Sequence, residues 1–178
     1  SFSSEQLRSV LVSLKEDQQG MIELTNSLLL LSQYENELAK KEFDIIRIDD
    51  ILINCIEDTK KIFYDAIFTL DFLNVPNEED LYFMGNRTLI ISAFRNLLKN
   101  GYQYSDNKKV ATKVFANKTV IDIYFENTGE IIIEQQRDKL FIPFYRADNK
   151  NEQKGHGIGL AIVQRIVNVS NGTITYLT

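Results

Sequence analysis

Hydrophobic positions near the N-terminus step through Leu7, Val10, Leu14, Asp17, Met21, Leu24, Leu28, Leu31, Glu35 and Leu38. The steps alternate three and four, which is the seam of a coiled coil or helical bundle. Eight of these ten positions are apolar and no proline interrupts them. The pattern predicts a helix of more than thirty residues, ~50 Å long at the α-helical rise. A small domain cannot cover such a seam, so it implies a helical partner: a hairpin helix, a second copy of the chain, or both. The period fades around "ENELAKKEFD", and a domain boundary is expected there, with residues 1–42 before it and 43–178 after it.

Beyond the boundary the period changes. "FDIIRI" alternates as a short strand over residues 43–48, and Asp49-Asp50 are cap candidates for a helix over "ILINCIEDTKKIFYDA". "IFTLDFL" and "DLYFMGN" read as strands separated by the turn chemistry of Pro76 and Asn77. "RTLIISAFRNLLKNGYQYS" has helical spacing, and "KVATKVFA" and "TVIDIYFEN" flank Asn117-Lys118 as an antiparallel hairpin. A last helix, "GLAIVQRIVNVS", follows a glycine-rich stretch, and "GTITYLT" reads as a final strand. The order predicts an α+β fold, a two-layer α/β sandwich with a mixed, mostly antiparallel sheet, preceded by the long helix.

Composition narrows this only a little. The net charge is −5, with 20 basic and 25 acidic residues, which argues against a nucleic-acid surface. The single cysteine, Cys55, lies in an apolar stretch and is expected to be a small buried hydrophobe. No apolar run approaches the ~20 residues of a membrane span.

Two features suggest chemistry. Asn96 and Asn100 are four apart and share one face of their helix. Gly155, Gly157 and Gly159 precede a helix N-terminus, where backbone amides and the helix dipole favour an anion. That spacing matches neither the phosphate loop ending in Gly-Lys-Ser/Thr nor the dinucleotide loop. Taken alone it is explained equally well by a flexible connector. The only histidine, His156, sits within it.

Four stretches in fixed order carry more weight: "FRNLLKNGYQYS", "YFENTGE", "LFIPFYRAD" and "GHGIGLAIVQRIV". Together they resemble the N box, first glycine box, F box and second glycine box of the ATP-binding domain of bacterial sensor histidine kinases. Those domains have the Bergerat-type ATPase fold shared with Hsp90 chaperones, type II topoisomerases and MutL proteins. The resemblance spans roughly residues 43–178, and the N-terminal helix resembles the second helix of the kinases' dimerisation hairpin.

The resemblance implies transfer of the γ-phosphoryl group of ATP to histidine, with Mg²⁺ as cofactor. It implies Asn96 and Asn100 facing the triphosphate, with Asn100 the Mg²⁺ ligand, and Gln103 and Tyr104 beside the nucleotide. Arg146 would neutralise phosphate charge. Gly155, His156, Gly157, Ile158, Gly159 and Leu160 would form the lid base and helix start over the phosphates, the lid covering about residues 145–157. The phosphoacceptor histidine is absent from this sequence. Implied partners are a second copy, joined through the N-terminal helix and the missing hairpin helix, and a cognate response regulator. The implied setting is cytoplasmic, below a parent anchored in the bacterial inner membrane.

The sequence departs from the family at the first glycine box, Asp-x-Gly-x-Gly. Either Glu126 or Asn127 could stand for the adenine-binding aspartate. The Asn127 register keeps Gly129 at the first glycine and places Ile131 at the second, and it is the one adopted. A neutral acceptor there implies weaker adenine binding, a network tolerant of other bases, and tighter ADP binding after Asn127→Asp. Gly101 stands for a usual alanine and Gln103 for a usually basic residue. The alternative reading is a degenerate regulatory or dimerisation module that binds nucleotide weakly or not at all.

Overall fold

The computed structural model describes residues 43–147 and 157–178, with scattered positions between 3 and 29. Strand β1 (Asp44–Arg47) leads into helix α1 (Ile48–Ile62), strand β2 (Ile67–Asn74) and a 3-10 turn (Glu78–Leu81). Strand β3 (Tyr82–Gly85), helix α2 (Arg87–Gln103) and the hairpin β4 (Lys109–Ala116) and β5 (Ile121–Asn127) follow. A one-turn helix α3 (Glu134–Arg137) continues into a second 3-10 turn (Asp138–Phe141), and α4 (Gly159–Val169) comes last.

The three-stranded sheet runs β2-β4-β5, with β2 parallel to β4 and β4 antiparallel to β5, while β1 and β3 pair antiparallel on their own. Side chains alternate across a strand. Val110, Thr112, Val114 and Ala116 of β4 are buried against the helices, joined by the half-buried Ile121, Ile123 and Phe125 of β5. The opposite face carries the exposed Tyr124 and the Lys113–Glu126 ion pair at 2.6 Å. This is the mixed two-layer arrangement expected from the sequence.

Helices α1, α2 and α4 each bury one stripe. Ile51, Leu52, Cys55 and Ile56 of α1 meet Leu89, Ala93, Phe94 and Leu98 of α2, with Ile162, Val163 and Ile166 of α4 completing the core. Cys55 is 1% exposed, as expected, and burial pushes its thiol up to about 11. The hairpin also forms as expected. Asn117 Oδ1 accepts from the backbone N–H groups of Thr119 and Val120 at 2.9 and 3.1 Å, which closes the turn.

Two local expectations need correction. Asp49 and Asp50 do not cap α1; both lie in its first turn, and Arg47 occupies the N-cap without a side-chain bond. Asp49 instead accepts from the Arg47 guanidinium through both oxygens, at 2.9 Å each. Residues 172–178 form no strand. Asn171, at φ 57°, ends α4 in the left-handed region, and the Gly172 N–H closes back on the Val167 carbonyl at 2.8 Å. Beyond it the chain is held by side chains. Ile174 packs on the core, the Tyr176 hydroxyl accepts from the Ile132 N–H at 3.3 Å, and Arg137 lies over the Tyr176 ring.

At the N-terminus the described seam positions Leu7, Val10, Leu14 and Met21 are helical and exposed. Asp17, Leu24, Leu28, Leu31, Glu35 and Leu38 lie outside the described residues. No helix among the described residues is long and apolar enough to cross a membrane.

Candidate functional site

Helix α2 presents Asn96 and Asn100 toward the start of α4. The Asn96 amide nitrogen donates to the Ser92 carbonyl of its own helix at 2.9 Å, so its oxygen is the end turned outward. A Cβ added to Gly159, the first residue of α4, would stand 2.9 Å from Asn96 Oδ1 and 3.7 Å from Asn100 Oδ1. Both amide oxygens therefore gather at a helix N-terminus, and glycine is the residue that leaves them room. Ile158 precedes α4 with no side-chain cap, which leaves the first-turn N–H groups to outside acceptors. Ile158 is buried and Leu160 half-buried, so what they offer the site is backbone.

The segment before α4 meets the end of "FIPFY" backbone to backbone. The Phe144 N–H donates to the Gly157 carbonyl at 2.8 Å. Gly157 has φ +68°, and a Cβ there would lie 2.6 Å from the Tyr145 carbonyl oxygen, so glycine is required twice over. Arg146 follows directly and is exposed. Gly155 and His156 lie outside the described residues, as does most of the expected lid.

The C-terminal ends of α2 and β5 form the third part. Along β5, Ile121, Ile123 and Phe125 face the helices, and Asn127 continues that face. Glu126 is on the other face, paired with Lys113. Strand alternation thus puts Asn127 on the helix side of the sheet and Glu126 on the opposite side. The Asn127 amide nitrogen donates to the Tyr104 carbonyl at 3.1 Å. The Asp106 N–H donates to the Thr128 carbonyl at 2.9 Å. A Cβ at Gly129 would overlap the Tyr104 carbonyl oxygen, which accounts for glycine there. Gln103 is half-buried at the end of α2, Tyr104 is its partly exposed C-cap, and Ile131 is exposed.

Among the described residues no group of three or more His, Cys, Asp or Glu side chains is placed to hold a metal ion. A cation at this site would depend on the amide oxygens of Asn96 and Asn100 together with oxygens of the ligand itself.

The family model of histidine kinase-, DNA gyrase B- and HSP90-like ATPases matches residues 85–178. The chain belongs to that family. Among its curated relatives are the heme sensor protein HssS of Staphylococcus epidermidis, 30% identical over 86% of this chain and 33% of that protein. Another is the probable sensor kinase SilS of Salmonella typhimurium, 28% identical over 97% of this chain and 35% of that protein. The chain spans about a third of the length of these relatives. The solved Acinetobacter baumannii histidine kinase AdeS shares the fold, with TM-score 0.68 over 99% of this chain and 79% of that one at 20% identity.

Membership in this ATPase family makes two departures readable, Gly101 on α2 and Asn127 at the end of β5. Gly101 is buried, and a Cβ there would lie 2.8 Å from Val110 Cγ1. The missing methyl is the space that lets α2 sit closely on β4. At Asn127 the amide does something no carboxylate can do, since it donates to a carbonyl. Tyr104 contributes its backbone oxygen here, and the sequence held no signal for that.

Proposed function

We propose that residues 43–178 are the ATP-binding catalytic unit of a sensor histidine kinase, and that residues 1–42 belong to its dimerisation hairpin. One observation carries this reading: the oxygens of Asn96 and Asn100 converge on Gly159 at the N-terminus of α4. Hard amide oxygens beside orphan helix N–H donors suit a magnesium-bound triphosphate. Asn100 would hold Mg²⁺, with Asn96 beside it. When bound, magnesium neutralises charge on the β- and γ-phosphates.

The remaining roles belong to the chain itself. First-turn N–H groups of Gly159 and Leu160 receive phosphate oxygens, and Arg146 adds positive charge. Asn127 accepts from the base, while Gln103, Tyr104, Gly129 and Ile131 border it. Gly157 meets the F box at Phe144, and Gly155, His156 and Ile158 would belong with it to the lid base. The bond from the γ-phosphorus to the β–γ bridging oxygen breaks, ADP leaves, and a histidine nitrogen supplied by the rest of the protein takes the phosphoryl group. A response regulator would accept it next. The whole protein would be a homodimer joined through the hairpin, with this unit in the cytoplasm below a membrane anchor. It would have no nucleic-acid partner.

Calorimetric titration with Mg·ATP tests the reading. Saturable binding below millimolar nucleotide is expected, and no binding at millimolar concentration overturns it. The neutral acceptor Asn127 favours a second reading, a regulatory module with little or no turnover. Adding the preceding hairpin helix and assaying for phosphohistidine separates the two. Phosphohistidine dependent on Asn100 supports the kinase, and nucleotide binding without transfer supports the module.

A further inference from the structure

We infer that Asp65 is a positioning residue for the nucleotide site: through Tyr102 and Lys108 it clamps the end of α2 from the face opposite Asn100, and so fixes the loop that borders the base end. Tyr102 lies two residues beyond Asn100, just over half a turn around an α-helix, so it leaves α2 on the far side from the paired asparagines. There its ring stacks on Phe63, the C-cap of α1, with centroids 4.3 Å apart and planes at 27°. Its hydroxyl donates to Asp65 Oδ1 at 2.9 Å. The Lys108 ammonium pairs with the other oxygen, Asp65 Oδ2. One carboxylate in the turn after α1 therefore holds both the last turn of α2 and the loop that follows it, from 37 and 43 residues away in the chain.

The grip reaches the backbone. Lys108 has φ 56°, a left-handed conformation that strains any residue with a Cβ and persists where its neighbours hold it. Asp65 holds its ammonium, and the Ile67 N–H donates to its carbonyl at 2.9 Å. Between Tyr104 and Lys109 the loop is tied to itself: Ser105 is buried, and the Lys109 N–H lies 3.1 Å from Ser105 Oγ and 3.0 Å from Asn107 Oδ1. On its other side the loop meets the end of β5. The Asp106 N–H donates to the Thr128 carbonyl at 2.9 Å, and the Tyr104 carbonyl accepts from Asn127 at 3.1 Å. A displacement at Lys108 is thus carried through bonded links to Tyr104 and Asn127.

The clamp acts on position more than on stability. The Asp65 and Lys108 side chains are 37% and 52% exposed, and exposed ion pairs add little to the stability of a fold. Once released, the loop would spend part of its time away from the base, and affinity would fall with the fraction of molecules left competent. The phosphate end is held separately, because Ile162, Val163 and Ile166 anchor α4 in the core. Asp65's role rests on the nucleotide reading above, whereas the clamp's contacts do not.

Calorimetric titration with ADP, with and without Mg²⁺, tests this role at a temperature where each variant is folded by circular dichroism. Asp65→Ala and Lys108→Gly are expected to bind ADP about fivefold more weakly than wild type, the effect of one charge-assisted hydrogen bond on the competent population. The loss should be the same with and without Mg²⁺, because the clamp acts at the base end and leaves Asn100 in place. Lys108→Gly also relieves the left-handed strain, so in urea it should unfold no more easily than wild type, which separates lost affinity from lost stability. Lys108→Arg keeps the ion pair and should recover most of the affinity that Lys108→Gly loses. If Asp65→Ala does not fold, Lys108→Gly decides alone. Wild-type affinity in the clamp variants, or a loss confined to magnesium-bound ADP, overturns the positioning role while the nucleotide reading stands. Wild type that binds no ADP at millimolar concentration overturns the nucleotide reading and the positioning role with it.

Discussion

Replacing Gly159 by alanine separates the cost of disturbing the fold from the cost of disturbing the site. The new Cβ would lie 2.9 Å from Asn96 Oδ1 and 3.7 Å from both Asn96 Cγ and Asn100 Oδ1. Relief needs about half an ångström, since ordinary contact of carbon with oxygen begins near 3.4 Å. The start of α4 is held in place by Ile162, Val163 and Ile166, which are 7%, 0% and 1% exposed. The softer partner is Asn96, and turning it away gives up its bond to Ser92. That loss is about 1 kcal/mol, and alanine in a helix gains up to about 1 kcal/mol over glycine. The two nearly cancel, so the unfolding free energy should change by less than ~1 kcal/mol. Nucleotide binding has no such offset, because one oxygen is displaced and a methyl group stands among the first-turn N–H groups. A loss of at least tenfold in Mg·ADP affinity is expected, ~1.4 kcal/mol or more. Urea unfolding and calorimetric titration on the same preparation read the two quantities. Unchanged affinity at unchanged stability refutes the placement of the phosphates at Gly159.

Thr112 is fully buried and its hydroxyl has no hydrogen-bond partner, so Thr112→Val should raise stability by about 1 kcal/mol in urea unfolding. Gly101→Ala drives a Cβ to within 2.8 Å of Val110 Cγ1 and should cost about 1–3 kcal/mol, from overpacking. Hydrogen bonds from Lys108 and then Tyr102 hold the Asp65 carboxyl below its ordinary value. A depressed carboxyl stabilises the fold above its unfolded pKa, near 4, and loses that contribution as pH falls through the folded value. Thermal unfolding from pH 7 down to 2 should accordingly show a smaller acid-induced drop for Asp65→Asn than for wild type.

Helices α1, α2 and α4 were legible because each carries an apolar stripe long enough to show its period, as Leu89, Ala93 and Phe94 do on α2. The hairpin was legible because asparagine at its turn supplies the acceptor that two N–H groups need. Residues 172–178 misled for a physical reason. Alternating β-branched and aromatic residues show that a segment can be extended, but not whether a ladder partner lies alongside. Asp49 looked like a cap because acids favour that position, and Arg47 two residues earlier competed for the carboxylate with a geometry the backbone N–H could not match.

The site divides in the same way. The proximity of Asn96, Asn100 and Gly159 was readable because the asparagines' spacing places them on one helix face and Gly159 precedes a helical run. The side of the sheet on which Glu126 and Asn127 lie was also within reach, since strand alternation from Ile121 through Phe125 puts the odd-numbered residues on the helix side. The role of the Tyr104 carbonyl was not. A backbone oxygen has no letter of its own, and only the packing of α2 against β5 brings it to Asn127.

Titrating ADP with and without Mg²⁺ into the wild type and Asn100→Ala tests the central claim most directly. The arrangement of Asn100 beside Gly159 predicts that Mg²⁺ strengthens ADP binding by wild type and that the substitution removes most of this gain. Equal magnesium dependence in the two proteins, or no binding by wild type at millimolar nucleotide, would contradict it.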